Sequence, residues 1–349
     1  METQFKSLLQ VLDFFKDEPT CKAYLAKSRW GDTPCCPHCG NVGAYVTTRG
    51  YKCKAKQCGQ KFTVVTGTIF ENTKIGLRTW YAAMYLCTAH KKGISSLQLH
   101  RDLNITQKTA WFLLHRIREM LANNEAEQFD GKVEVDETYV GGKNKNRHAN
   151  KKIEGSQGRS AADKTPVIGI AQKQIVEYIE RDHKVISGKR VIEKIVKQQS
   201  KVSVKVVQNT EAETLQSFMV ENVATGSKVV TDSYRSYNGL DANFQHVAIK
   251  HTEGNYITIG EDHTNTIEGF WSLLKRGIVG IYHNVSPRHL HRYCNEFGLR
   301  YNTRLILDQQ RFVNVFNQVE NVHLTYKNLI GKHGKKDNGE TTETEAIQL

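Results

Sequence analysis

Residues 132–140 read KVEVDETYV and residues 228–234 read KVVTDSY. In each, a run rich in valine arrives at an aspartate, Asp136 in the first and Asp232 in the second. Side chains on a strand alternate between faces, so Val133 and Val135 share a core face while Glu134 and Asp136 share the other. In α/β sheets, sites form at the carboxyl ends of strands. A third stretch, NTIEGFWSLLK at 265–275, opens a helix with Glu268 in its first turn. Three carboxylates brought from separate elements suit two-metal phosphoryl transfer, in which hard oxygen ligands gather around Mg²⁺.

Each acid also has an ordinary explanation. An aspartate ending a strand can cap a turn. With Asn265 as N-cap, Glu268 falls at the third helical position and reads as the acid of a capping box. Lys275 lies two turns beyond Glu268 on the same helix face, where it can reach a phosphate beside a metal. The order Asp, Asp, Glu, Lys is therefore more telling than any one member.

Around these stretches, TPVIGIAQ (165–172), VSVKVVQ (202–208) and HVAIKH (246–251) also look like strands, and ETLQSFMVENV (213–223) looks helical. A helical pattern runs from about 265 towards 330. Strands mixed with helices predict an α/β domain over 130–330. Residues 174–201 are longer than expected between its second and third strands. Residues 141–164 lack periodicity, carry 7 Lys and Arg against 2 acids, and read as a mobile basic loop. The polar end, 331–349, is expected to be disordered.

Two cysteine knuckles precede this domain: Cys36-Pro-His-Cys39-Gly and Cys53-Lys-Ala-Lys-Gln-Cys58-Gly. Two such pairs complete a tetrahedral thiolate site, a structural zinc site with no open position. Gly40 and Gly59 suit the tight turns after each pair. Cys35 could replace Cys36, though the spacing favours Cys36. Cys21, Cys87 and Cys294 sit in apolar helical surroundings and read as core. The leading 1–75 thus reads as one or two short helices followed by a zinc ribbon.

Residues 76–125 read as a helix-turn-helix. Ser95 or Ser96 caps its first helix, Asn104 suits the turn, and Thr106 caps the second. Ala110, Leu113, Leu114, Ile117 and Leu121 follow helical spacing towards a core. That leaves Gln107, Lys108, Arg116 and Arg118 for DNA in the major groove.

Formal net charge is +13 over 349 residues, with 39% hydrophobic and 24% charged residues. Residues 41–120 concentrate 13 Lys and Arg against 3 acids. Such a patch binds polyanions, with a salt-dependent affinity. No run of apolar residues is long enough to span a membrane. The acidic start reads as an amphipathic helix rather than a secretion signal, and a cytoplasmic protein is expected.

Taken together, CPHCG, KCKAKQCGQKFTVVTGTIFE, ITQKTAWFLLHRIREM, VEVDETYVGGK, VVTDSYRSY and HTNTIEGFWSLLKRGIVGIYH resemble bacterial insertion-sequence transposases of the DDE type with a zinc-ribbon head. The resemblance covers about residues 20–310. It implies an RNase H-like catalytic domain whose metal-binding triad is Asp136, Asp232 and Glu268, with Lys275 as an auxiliary residue. It further implies Mg²⁺ or Mn²⁺ as cofactor, with Asp136 bridging two ions and Asp232 and Glu268 holding one each. Double-stranded DNA, at element ends and target, becomes the partner of a homo-oligomer. Glu134 and Glu137 are expected to tolerate amide substitution. The rival readings are a DNA-binding regulator with structural acids, an idle remnant, and a simple nuclease.

Overall fold

The computed structural model describes residues 5–122, 128–141, 148–155, 163–182, 190–249 and 262–331. Most of the basic stretch at 141–164 and the polar tail beyond 331 lie outside these residues.

The first helices form where capping residues meet apolar stripes. Helix α1 (Leu8–Phe14) is capped by Ser7, and α2 (Glu18–Trp30) by Asp17, each side chain accepting from a first-turn backbone N–H. A three-stranded antiparallel ribbon follows: β1 (Ala44–Thr47), β2 (Gly50–Cys53) and β3 (Lys61–Phe62). Trp30 seats it, its ring 5.3 Å from Tyr51 and 5.8 Å from Phe62. Then come α3 (Leu77–Ala89), α4 (Ser96–Leu103) and α5 (Gln107–Met120).

These helices share an aromatic core in which Phe15 and Tyr81 lie 4.7 Å apart and Tyr81 and Phe316 lie 5.1 Å apart. Fully burying each such side chain contributes roughly 1.5–3 kcal/mol. Phe316 belongs to α9 (Asp308–Phe316), nearly 200 residues later. Phe312, Val315, Val319 and Val322 join the same core. The chain therefore returns to its N-terminal helices after 302, where the sequence suggests one catalytic unit running to 330.

The second half is built on a five-stranded sheet ordered β10-β9-β4-β5-β8. Its strands are β4 (Lys132–Gly141), β5 (Lys164–Gln172), β8 (Lys201–Val206), β9 (Lys228–Asp232) and β10 (Gln245–Ile249). The first three pair antiparallel, and β9 and β10 add in parallel on the other side of β4. This is the RNase H-like arrangement. Helix α6 (Ala212–Asn222) connects β8 to β9 and covers one face with Leu215, Phe218 and Met219. Helices α7 (Asn265–Gly277) and α8 (Pro287–Asn302) cover the other with Ile267, Phe270, Trp271, Leu274 and Phe297. Both faces are thus dry, which decides the fate of the polar residues on β4. Strands β6 (Ile175–Asp182) and β7 (Arg190–Gln198) form a separate hairpin that accounts for the extra length at 174–201. No helix among the described residues is long and apolar enough to cross a membrane.

Candidate active site

Strand β4 lies at the centre of the sheet, and its register sets the site. Glu134 pairs with Val230 in parallel. The same offset two residues on brings Asp136 beside Asp232. Ligand oxygens of Asp136, Glu137 and Asp232 all lie within 4.8 Å of one another. Each is held separately. Trp271 Nε1 donates to Asp136 Oδ2 at 3.0 Å. Tyr237 donates to Glu137 Oε2 at 2.9 Å, and the Tyr234 backbone N–H donates to Asp232 Oδ1 at 3.0 Å.

Burial, with the carboxylates of Glu137 and Asp232 beside it, pushes the Asp136 carboxyl up to about 7. Three clustered carboxylates repel one another, and a divalent cation relieves that repulsion. The donor set is all oxygen, which fits Mg²⁺ or Mn²⁺.

Gly169 faces Asp136 across β4 and β5. A Cβ there would sit 2.6 Å from the Trp271 ring, so the glycine admits the close approach that carries the indole to Asp136.

Glu268 and Lys275 stand apart from this cluster. Glu268 is exposed on α7, one turn before Trp271, and accepts from Thr264 Oγ1 at 2.7 Å. Lys275 is exposed in the last turn of the same helix. The structure thus brings Asp136 and Asp232 together, adds Glu137, and leaves Glu268 and Lys275 on the neighbouring helix.

A second cluster lies in the ribbon. The sulfurs of Cys36, Cys39, Cys53 and Cys58 lie within 4.8 Å of one another. Cys36 and Cys58 are 3.9 Å apart, and Cys39 and Cys53 are 3.6 Å apart. Gly40 and Gly59 take φ of 72° and 57°, the turns expected after each knuckle. Cys35 lies outside the group, and its thiol donates to the Gly40 carbonyl at 3.3 Å. Four thiols converging in this way fit a zinc ion.

Residues 128–302, half of the chain, match the ISXO2-like transposase domain, and residues 16–61 match the transposase zinc-ribbon domain. The chain belongs to the ISXO2-like transposases. It is 28% identical over 301 residues to an uncharacterized protein in the transposable element ISH50 of Halobacterium salinarum, covering 82% of this chain and 91% of that one. An uncharacterized transposase-like protein of Haemophilus influenzae is 32% identical over 110 residues, 31% of this chain and 87% of that one. Among solved structures, a pre-cleavage Mos1 transpososome aligns over 63% of this chain and 74% of that chain. The two share 11% sequence identity, with a TM-score of 0.20. A DNA-binding regulator, the main rival reading, is set aside by the match of the catalytic half.

In this transposase the start of α7 departs from the sequence reading. The N-cap is Thr264, whose side chain makes no capping bond. The orphan donors turn to β4 instead. Thr266 N–H and Ile267 N–H donate to Glu134 Oε2 at 2.7 and 3.1 Å, and Thr266 Oγ1 donates to Oε1 at 2.8 Å. Glu268 is therefore not a capping-box acid, and Glu134 is a strand-borne cap with no exposed surface. A carboxylate at a helix N-terminus is also favoured by the helix dipole. Glu134→Ala is expected to cost about 2 kcal/mol in urea unfolding, since it strands two backbone donors, one buried and one part-buried. An unchanged midpoint would show that α7 is not anchored this way.

The helix pair α4 and α5 has the expected caps. Ser95 and Thr106 accept from Gln98 and Thr109 backbone N–H groups, and Asn104 is left-handed. The five predicted core residues of this pair are all buried. Two of its arginines, however, do not face solvent. Arg116 donates to the Ile69 and Glu71 carbonyls and lies over the Trp80 and Phe112 rings. Arg118 is paired with Glu296 at 2.6 Å, both side chains 1% exposed. Exposed Gln107 and Lys108 remain at the start of α5.

Proposed function

We propose that this transposase cuts DNA at the ends of its element and joins the freed 3′-hydroxyl to target DNA, using Mg²⁺ or Mn²⁺ held by Asp136, Asp232 and Glu268. The observation that carries the reading is the convergence of Asp136 and Asp232 at the centre of the sheet of a transposase domain. When bound, the cations stabilise the attacking and leaving oxygens of an in-line displacement.

The chain's own residues supply position. Trp271 and Tyr234 fix the two aspartates through one hydrogen bond each, and Glu134 fixes the helix that carries Glu268. Glu268 completes the set from α7, and Lys275 contacts DNA phosphate near the cut. Glu137, held by Tyr237, keeps a third negative charge beside Asp136 and so favours cation entry. The ribbon folds around one zinc bound by Cys36, Cys39, Cys53 and Cys58. Bringing two element ends together calls for two or more copies of the chain.

A labelled duplex carrying the element's end tests this. Cutting is expected in Mg²⁺ or Mn²⁺ and is expected to stop in EDTA. Cutting that persists in EDTA would overturn the metal-dependent reading, and absence of cutting in either metal would overturn the activity.

A further inference from the structure

We infer that one face of the zinc ribbon, the row Tyr45–Lys52–Lys61 with Lys54, is a phosphate-contacting surface for duplex DNA. The inference rests on the reading of the chain as a DNA transposase and assigns where the protein meets the DNA backbone.

The sequence concentrates charge there. Between Asp32 and Glu71 there is no acidic residue, and five cations occur: Arg49, Lys52, Lys54, Lys56 and Lys61. The fold then sorts them. Tyr45 is paired with Lys52 across β1 and β2, and Lys52 with Lys61 across β2 and β3. Directly paired residues share a sheet face, so these three stand in one row, neighbours about 5 Å apart. All three are exposed, Tyr45 at 58%. Lys54 Nζ lies 5.4 Å from the Tyr45 ring and extends the row. On the opposite face Tyr51 and Phe62 stack at 5.5 Å and pack on Trp30, while Val46, paired with Tyr51 on β1, stays exposed. No ion pair among the described residues engages the five cations. A ribbon with one apolar face against its own domain and one acid-free basic face outward has the electrostatics of a backbone-tracking surface.

The helix pair cannot supply this contact in the way its sequence suggests. Arg116 and Arg118 are internal, and exposed Arg101 is followed by Asp102. Lys108 lies 4.6 Å over the Tyr326 ring. Its exposed polar residues suit base-edge contact better than phosphate neutralisation.

The test uses full-length protein and the Lys52→Gln/Lys61→Gln double variant. Affinity for the element-end duplex and for a random duplex is measured across a salt series. Each lost phosphate contact lowers the slope of log affinity against log salt by about 1, so the slope should fall by about 2 on both duplexes. The matched variant Lys194→Gln/Lys197→Gln, on the β6–β7 hairpin, should leave the slope unchanged. Zinc content and melting temperature should be those of wild type in both, because the side chains are exposed. An unchanged slope with intact wild-type binding and cutting would overturn the inference alone. Loss confined to the element-end duplex would also overturn it, since that would mean base reading. Wild-type protein that fails to bind or cut duplex DNA would instead overturn the functional reading beneath it.

Discussion

Replacing Asp136 by asparagine is expected to slow Mg²⁺-dependent cutting by about a thousand-fold or more while leaving the protein folded and bound to DNA. Cation stabilisation of the reacting oxygens is worth several kcal/mol, and every 1.36 kcal/mol is a factor of ten in rate. Asp136 shares the acid cluster with Glu137 and Asp232 and is bonded to Trp271. The amide keeps its shape but removes its charge. With three carboxylates in mutual reach, removing one relieves repulsion in the metal-free protein. The melting temperature in EDTA should therefore equal or exceed that of wild type. A marked fall would reassign the activity loss to misfolding, and normal cutting would remove Asp136 from the reaction.

Glu296→Ala is expected to damage the molecule most, by destabilising it rather than by touching the chemistry. Glu296 on α8 is 1% exposed and receives four donors. Arg118 from α5 donates at 2.6 Å, Tyr282 at 2.7 Å, and Arg300 through Nη2 and Nε at 2.5 and 3.1 Å. Arg300 also donates to the Cys87 and His90 carbonyls of the N-terminal helices. This network fastens the helical unit to the catalytic sheet. Removing its one carboxylate leaves two buried guanidinium groups facing each other, at a cost of about 3–5 kcal/mol.

Chemical unfolding of the variant measures that cost, and a loss below about 1 kcal/mol would contradict the account. A double-mutant cycle between Arg118→Met and Glu296→Met should be strongly non-additive. Burial alone would raise the Glu296 carboxyl, yet the two arginines outweigh it and hold the group well below the usual carboxylate range. Its contribution is then present above the ordinary value of 4.5 and is lost as pH falls below it. Wild type should show that acid loss and Glu296→Ala should not.

These two residues also mark what a single sequence can carry. Asp136 was legible because alternation on a valine-rich strand is a local pattern, as were the cysteine knuckles and the caps Ser95 and Thr106. Glu296 was not, because nothing near it in sequence announces Arg118, 178 residues away. Periodicity assigned Arg116 and Arg118 to solvent because it assumes one buried side. Helix α5 is packed against both α3 and α8, and both flanks of its apolar stripe are covered. Glu134 misled for the same reason: alternation placed it opposite Val133 and Val135, but that face lies under α7 rather than in water. Only its tertiary partner makes it a helix cap. The return of α9 to the first core is likewise a long-range event with no local sign.

The position that bears hardest on the proposed chemistry is Glu268, which is proposed as a metal ligand yet lies outside the acid cluster. The decisive measurement is single-turnover cutting of a labelled element-end duplex in Mg²⁺ by wild type and by Glu268→Gln, with DNA affinity measured in parallel. Affinity should be unchanged and the rate lower by about a thousand-fold. Cutting at the wild-type rate would leave Glu268 as a surface side chain bonded to Thr264 and would contradict the metal-binding triad.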